Sequence, residues 1–206
     1  PSSTVVLNNP VSIRNAAEKI YPFQFQEYMP PTIITQKIET IKKFLIENRD
    51  IVTKPLYGNG GEGIFRSKID DSILQGIDER KNTLDEPIMA QKYIPEISEG
   101  DKRILLVDGL PMGGAIARVP AVGELRGNLA AGASAVAKSL TSKDKWICDQ
   151  VGPRLKELGL TLVGLDIIGD YLTEINVTSP TCFREYKSLC DIDVASDLFD
   201  SLEGRA

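Results

Sequence analysis

The sequence contains no histidine. This absence excludes the Ser-His and Cys-His nucleophile pairs, imidazole metal ligands, and the side chain that most often acts as a general base near neutral pH. Any chemistry that the chain performs must therefore depend on lysine, arginine, carboxylate, amide and backbone groups.

Cysteine is scarce, and neither long apolar runs nor basic runs occur. Cys148, Cys182 and Cys190 show no C-x-x-C spacing, so they fit a reducing compartment better than a disulfide framework. No apolar run approaches the roughly 20 residues of a membrane-spanning helix, and we expect no contact with membranes. A net charge of -5 without a basic stripe argues against nucleic acid as a partner. Residues 1–4 have no basic region of the signal-peptide type, so we expect a cytoplasmic protein.

The pattern of apolar residues predicts an α+β fold, because pairs of strands are mixed with helices and do not alternate regularly with them. We predict strands at 4–7, 32–35, 51–56, 64–66, 88–93, 102–108, 113–119, 162–168 and 172–177. We predict helices after Asn9, around Ile38 to Leu45, and at 71–82, 143–158 and 194–202. Residues 121–137 are rich in Gly, Ala and Ser, which favours a mobile loop.

A glycine-rich loop occupies residues 58–63 and matches G-x-G-x-x-G. A dinucleotide-binding loop would lead into a helix, whereas residues 64–67 favour a strand. Two alternatives remain: a β-hairpin lid whose amides cover phosphates, or a flexible hairpin tip. Lys54, in the preceding strand, lies between the apolar Val52 and Leu56 on one face. It needs an anionic partner such as a phosphate, unless it lies at a sheet edge and reaches solvent.

Residues 165–177 form an acidic hairpin in which Glu174 and Asn176 share one face. A two-residue turn at 169–170 would point Asp166 to the other face, whereas a three-residue loop would place Asp166 opposite Glu174. Facing acids destabilise a strand pair, and a divalent cation between them would remove that penalty. Three hard oxygen ligands suit Mg²⁺. The alternative is a pair of solvated acids on an exposed sheet.

Several segments resemble the bacterial glutathione synthetases of the ATP-grasp superfamily. The matching segments are KPLYG at 54–58, GDKR at 100–103, RGNLAAG at 126–132, GLDIIG at 164–169 and LTEINVTSPT at 172–181. The resemblance extends over nearly the whole chain. It implies two α+β lobes with largely antiparallel sheets that grip ATP. The corresponding division is a linker remnant at 1–30, a small lobe at 31–93 and a large lobe at 94–206.

The resemblance also implies roles for individual residues. Lys19, Lys54, Gly60 and Gly61 would contact the ATP phosphates, Gln91, Lys92, Tyr93 and Ile94 would form the adenine hinge, and Asp101 would approach the ribose. Asp166, Glu174 and Asn176 would hold Mg²⁺ or Mn²⁺. Arg103, Arg118, Arg126 and Asn128 would hold the peptide substrate and the transferring phosphoryl group, and Ser179 and Thr181 would line the substrate end. The alternative for Arg103 and for Arg126 is an ordinary surface charge.

The activity implied by the resemblance is the ATP-dependent joining of γ-glutamylcysteine and glycine through an acyl phosphate, in a homo-oligomer, a tetramer in that family. The alternatives are a ligase that adds glutamate or D-alanine, or a nucleotide-binding module without catalysis. The family carries a further domain before the equivalent of Thr4. We therefore expect the 206-residue chain alone to bind Mg-ATP but to make little product.

Overall fold

The computed structural model describes most of the chain. The described residues are 4–58, 62–71, 74–78, 83–121, 123–124, 127, 129 and 132–204. They form five α-helices: α1 (Pro10–Asn15), α2 (Ile38–Asn48), α3 (Ser142–Glu157), α4 (Phe183–Cys190) and α5 (Val194–Glu203). Two 3-10 helices span Tyr21–Tyr28 and Pro95–Glu99.

Ten strands form two antiparallel sheets. The strands are β1 (Thr32–Lys37), β2 (Asp50–Pro55), β3 (Phe65–Lys68), β4 (Thr83–Lys92), β5 (Asp101–Val107), β6 (Leu110–Pro111), β7 (Ala115–Val119), β8 (Ser134–Lys138), β9 (Leu162–Ile168) and β10 (Tyr171–Asn176). The small sheet has the order β1-β4-β2-β3, and the large sheet has the order β10-β9-β5-β7-β8 with β6 paired to β5. The predicted α+β class is confirmed.

The small sheet packs one face against α2. The helix presents the predicted apolar stripe of Ile38, Ile41, Phe44 and Leu45 to Ile51 and Ala90. Because side chains alternate along a strand, the neighbours Val52, Lys54 and Gln91 face the opposite way. Helix α2 therefore covers one face of the small sheet, and the face that carries Lys54 and Gln91 does not contact this helix.

The large sheet is covered on both faces by helices. On one face, α3 buries Ile147, Val151 and Leu155. A capping box between Thr141 and Asp144 starts this helix. Gly159 follows its end with a φ of +67°, as predicted. On the other face, α4 and α5 cover one end of the sheet, where Tyr186 and Leu198 pack on Leu105.

Three predicted elements are wrong. Residues 4–7 form no strand and are exposed, because they have no strand neighbour among the described residues. The described part of 71–82 is not helical, since Gly76 adopts a φ of +72° close above the Phe65 ring. Part of the expected loop at 121–137 is strand β8, which pairs with β7. Helix α4 was not predicted.

Candidate active site

Asp166 lies opposite Glu174 in the acidic hairpin, but a β-bulge produces this arrangement and not a three-residue loop. Strands β9 and β10 are joined by a two-residue turn at 169–170, and the register then shifts between Leu172 and Glu174. Thr173 is the extra residue of this β-bulge. The bulge restores the facing arrangement that a two-residue turn alone would have prevented.

Asp166 is buried and held by two arginines. Its register neighbour on β5 is Arg103, whose Nε donates to Oδ1 at 2.5 Å and whose Nη2 donates to Oδ2 at 3.0 Å. Arg118 of β7 adds a contact from Nη2 to Oδ2 at 2.8 Å. Burial alone would raise the pKa of Asp166, but the two guanidinium groups outweigh it and lower the pKa to about 2. The possibilities of solvated acids and of a surface Arg103 are therefore wrong.

Asp101 extends this charged cluster. It lies opposite Arg118 in the register of β5 and β7, and Arg118 Nη2 donates to its Oδ2 at 2.5 Å. The other carboxylate oxygen, Oδ1, is buried and has no hydrogen-bond partner among the described residues. Burial raises the pKa of Asp101 to about 6 despite the attraction of Arg118. The cluster therefore retains one acceptor that is not satisfied by the described part of the chain.

Lys54 connects the two sheets. It is buried on β2, an inner strand paired on both sides, so the edge-lysine possibility is wrong. Its Nζ donates to Gln91 Oε1 at 3.3 Å and lies 4.0 Å from Glu174 Oε1 on the large sheet. Burial raises the pKa of Glu174 to about 7, because Lys54 at this distance offsets only part of the desolvation. The candidate site is thus a cleft between the sheets.

Lys19 approaches the same cleft from the segment before β1. The N–H of Ile175 donates to the carbonyl of Glu18 at 3.1 Å, which attaches this segment to β10. The buried Lys19 Nζ donates to the carbonyl of Gly58 at 3.1 Å. Lys19 therefore reaches the first residue of the glycine loop, which joins the antiparallel strands β2 and β3 as predicted.

The predicted hinge comprises the last two residues of β4 and the two residues that follow it. Gln91 is buried, and its Nε2 donates to Thr32 Oγ1 at 2.9 Å. The N–H of Lys92 donates to the carbonyl of Pro31, and the N–H of Tyr93 donates to the carbonyl of Asp50, both at 2.9 Å. The hinge backbone is thus anchored to β2 and to the residue that precedes β1.

The remaining predicted residues lie around this centre. Asn176 donates from Nδ2 to the carbonyl of Gly164 at 3.2 Å. Thr181 accepts from Arg103 Nη1 at 3.5 Å, and Ser179 is exposed. The predicted residues Gly60, Gly61, Arg126 and Asn128 lie outside the described residues.

The donors present suit a hard divalent cation. Glu174 offers a carboxylate whose burial is only partly offset, and Asn176 offers an amide oxygen on the same strand. Asp166 accepts one hydrogen bond at Oδ1 and two at Oδ2, which leaves one lone pair at Oδ1. Across the described ranges, no three His, Cys, Asp or Glu side chains converge as a metal cage. The fit is therefore to a cation that keeps further oxygen ligands from water or phosphate.

Tyr186 of α4 supports the cluster and was missed from the sequence. Its buried hydroxyl accepts from the N–H of Leu105 at 3.0 Å and lies 2.7 Å from the carbonyl of Gly114 and 3.2 Å from that of Arg103. It thereby fixes β5 next to Arg103. The apolar spacing of Phe183, Tyr186 and Cys190 was the available signal for this helix.

Tyr186→Phe is expected to lower the free energy of unfolding by about 1–3 kcal/mol, because the backbone groups of β5 lose a buried partner. Urea denaturation of both proteins measures the change. Tyr171→Phe, which changes a tyrosine that is 41% exposed, serves as the matched control and should be neutral. Equal stability of the two variants would contradict this role for the hydroxyl.

Solved structures share this fold. The ATP-grasp ligase PsnB, complexed with minimal precursor, Mg and ADP, matches with a TM-score of 0.71 and 20% identity, over 98% of this chain and 63% of that chain. D-alanyl-alanine synthetase A from Vibrio cholerae matches with a TM-score of 0.59 and 14% identity, over 85% and 59%. The chain therefore has the ATP-grasp fold.

Sequence relatives define the family. The profile described as "Prokaryotic glutathione synthetase, ATP-grasp domain" matches residues 18–191, and the chain belongs to this family. Glutathione synthetase of Pseudomonas aeruginosa is 48% identical over 202 residues, and that of Shewanella oneidensis is 50% identical over 202 residues. Each match covers 98% of this chain and 64% of the relative, so the chain spans less than two thirds of their length.

None of the helices among the described residues is long and apolar enough to cross a bilayer.

Proposed function

We propose that this chain forms the ATP-binding and catalytic part of a glutathione synthetase. The observation that carries the proposal is the charged cleft between the two sheets, where Lys54 meets Glu174 beside the arginine-bound Asp166. In this proposal the lobes are 31–93 and 94–206, preceded by a linker at 1–30. Cytoplasmic location and a homo-oligomer are proposed from family resemblance, and light scattering of the purified protein tests the latter.

The nucleotide would bind between the hinge and the lysines. Lys19 lies at the start of the glycine loop and Lys54 lies beside Glu174, and both ammonium groups act on the Glu174 carboxylate. Both would contact phosphate oxygens. Because the amides of Lys92 and Tyr93 already donate to protein carbonyls, the next amide, that of Ile94, is the proposed donor to the base. Asp101 Oδ1, which has no hydrogen-bond partner among the described residues, supports the proposed contact with a ribose hydroxyl.

Glu174, Asn176 and one lone pair of Asp166 are the proposed ligands for Mg²⁺ or Mn²⁺. A bound cation of this kind neutralises charge on the phosphates. The ligand side chains would also orient the phosphate chain, because they project from the paired strands β9 and β10 rather than from loops. PsnB, which shares the fold, has been solved with Mg and ADP.

The arginines would stabilise charge during transfer. The cysteine carboxylate of γ-glutamylcysteine attacks the γ-phosphorus of ATP, the bond to the bridging oxygen breaks, and ADP leaves. The glycine amine then attacks the acyl phosphate, phosphate departs, and the amine loses its proton. Arg103 and Arg118 remain charged throughout, since neighbouring carboxylates raise the pKa of both despite burial. Catalysis of this kind depends on positioning and charge stabilisation.

The test is substrate-dependent ADP release. The protein is incubated with Mg-ATP and γ-glutamylcysteine, with glycine, glutamate, D-alanine or no amine added, and also with D-alanine alone, and products are identified by mass spectrometry. We expect ADP release to require γ-glutamylcysteine, and glutathione, of which this chain alone should make little, to appear only with glycine. ADP release with glutamate or D-alanine instead would assign another ligase. Nucleotide binding without any carboxylate-dependent release would assign a binding module.

Lys54→Met is expected to weaken Mg-ATP binding by about 10- to 100-fold, because a buried ammonium group near phosphate cannot be replaced by a neutral side chain. Calorimetric titration with a non-hydrolysable ATP analogue measures the change. Lys145→Met on the exposed side of α3 is the matched control and should bind as the unaltered protein does. Equal affinity in both variants would remove Lys54 from the nucleotide site.

A further inference from the structure

Arg66 joins the strand after the glycine loop to the predicted hinge. It lies on β3, the edge strand of the small sheet, where its register neighbour is Val52. Its Nε and Nη2 donate to the two oxygens of Asp50 at 2.9 Å and 2.6 Å. Its guanidinium carbon lies 3.4 Å from the centroid of the Tyr93 ring. One side chain thus contacts the start of β2 and the hinge at the same time.

These contacts converge on Tyr93. Asp50 accepts the N–H of Tyr93 through its carbonyl and accepts Arg66 through its carboxylate, while Arg66 stacks on the Tyr93 ring. Tyr93 is therefore fixed at its backbone and at its side chain by the same two residues. The following peptide, which carries the Ile94 N–H, is joined directly to this fixed residue.

The geometry requires arginine specifically. The planar fork of Arg66 donates twice to one carboxylate while its flat face stacks on a ring, whereas a lysine ammonium is a point charge that cannot make both contacts in this geometry. Arg66 and Asp50 are partly exposed, with side-chain exposures of 27% and 29%. Ion pairs in such positions contribute little to global stability. A local effect on the hinge is therefore the larger consequence of this contact.

We propose that Arg66 is a positioning residue for the adenine base: through Asp50 and Tyr93 it sets the hinge amide that recognises the base, and it couples the glycine-loop hairpin to that hinge. This inference rests on the nucleotide site of the proposed function and deepens it. Arg66 itself need not contact the nucleotide.

The experiment compares Arg66→Met and Arg66→Lys with the unaltered protein. Calorimetry with non-hydrolysable analogues of ATP and ITP gives the affinity and the preference for the adenine amino group over the inosine carbonyl. We expect both variants to bind the ATP analogue about five- to tenfold more weakly, the range expected for a cation–π contact. We also expect the ATP-over-ITP preference to narrow, because triphosphate contacts are shared by the two ligands.

Amide hydrogen exchange in the free protein provides a readout that needs no nucleotide. Exchange in the segment 91–94 should accelerate in both Arg66 variants, since Tyr93 loses its support. Tyr93→Leu should accelerate exchange as much as Arg66→Met does, and the double variant Arg66→Met/Tyr93→Leu should accelerate it no further. Arg154→Met, at an exposed arginine paired with Glu157 on α3, is the control for loss of an ion-paired arginine.

Unchanged hinge exchange together with an unchanged ATP-over-ITP preference in Arg66→Met overturns the inference. An equal loss of affinity for the ATP and ITP analogues, with unchanged amide exchange at 91–94, also overturns the inference, because Arg66 would then not affect recognition of the base. If the unaltered protein binds neither nucleotide, the proposed function fails together with the assignment to the base, while hydrogen exchange still decides whether Arg66 holds the hinge.

Discussion

Asp166→Asn is expected to lower the free energy of unfolding by about 3–5 kcal/mol, the cost of leaving buried charges without their partner. Asp166 receives three charged hydrogen bonds from Arg103 and Arg118. An asparagine in its place keeps the shape, but it removes the negative charge and turns an NH₂ group toward guanidinium donors. The result is two buried cations with Asp101 as their remaining close carboxylate.

Urea denaturation at neutral pH measures this loss, and Asp170→Asn is the matched control. Asp170 lies in the exposed turn of the same hairpin, so it undergoes the same change of charge without losing a buried partner. We expect the control to be close to the unaltered protein. If Asp166→Asn were equally stable, the ion cluster would not be an element of the folded core.

The sequence predicts most of the elements that build the site, because each has a strong local signal. The alternation around Lys54 and the apolar run of β9 indicate buried strands, and Gly159 marks the end of α3. Whether Asp166 and Glu174 face each other could not be predicted from the sequence, since two loop lengths gave opposite answers. The bulge at Thr173 decides it, and a bulge has no reliable signature in one sequence.

The partners of the charged residues could not be predicted in the same way. Lys54 was expected to need an anion, yet local patterns do not show that Glu174, 120 positions later, would supply one across a cleft. Strand β8 was missed because Ser134–Lys138 is rich in alanine, and pairing with β7 overrides its weak strand propensity. Contacts between distant segments are a property of the fold and have no local pattern.

The charges in the cleft differ in how well the protein compensates them. Asp166 is stabilised so strongly by two arginines that its pKa falls to about 2, whereas burial raises the pKa of Glu174 to about 7. Retaining an ionised Glu174 in the cleft therefore costs folding free energy. A position that is unfavourable for stability but suited to a cationic ligand is expected of a functional site.

Glu174→Gln is therefore expected to have opposite effects on activity and stability. Turnover with Mg-ATP and substrates should fall by at least about 100-fold, because the site loses an anionic oxygen whose role is charge neutralisation. Without nucleotide and metal, the variant should be more stable than the unaltered protein at pH 8, by roughly 1–3 kcal/mol, since each unit of pKa shift corresponds to about 1.4 kcal/mol.

The pH dependence gives the sign of this effect. The pKa of Glu174 rises from 4.5 in the unfolded chain to about 7 in the folded protein, so the folded state binds more protons between these values. The contribution of Glu174 to the free energy of unfolding therefore falls as pH rises from about 4.5 to about 7. The extra stability of Glu174→Gln over the unaltered protein should grow across this pH range and be absent below it.

Denaturation at pH 4, 6 and 8 measures this difference in the free energy of unfolding, with Glu99→Gln, which changes an exposed glutamate, as the control. A stability difference that stays constant over this range, or normal turnover in the variant, would show that Glu174 is not a strained ligand of the cleft.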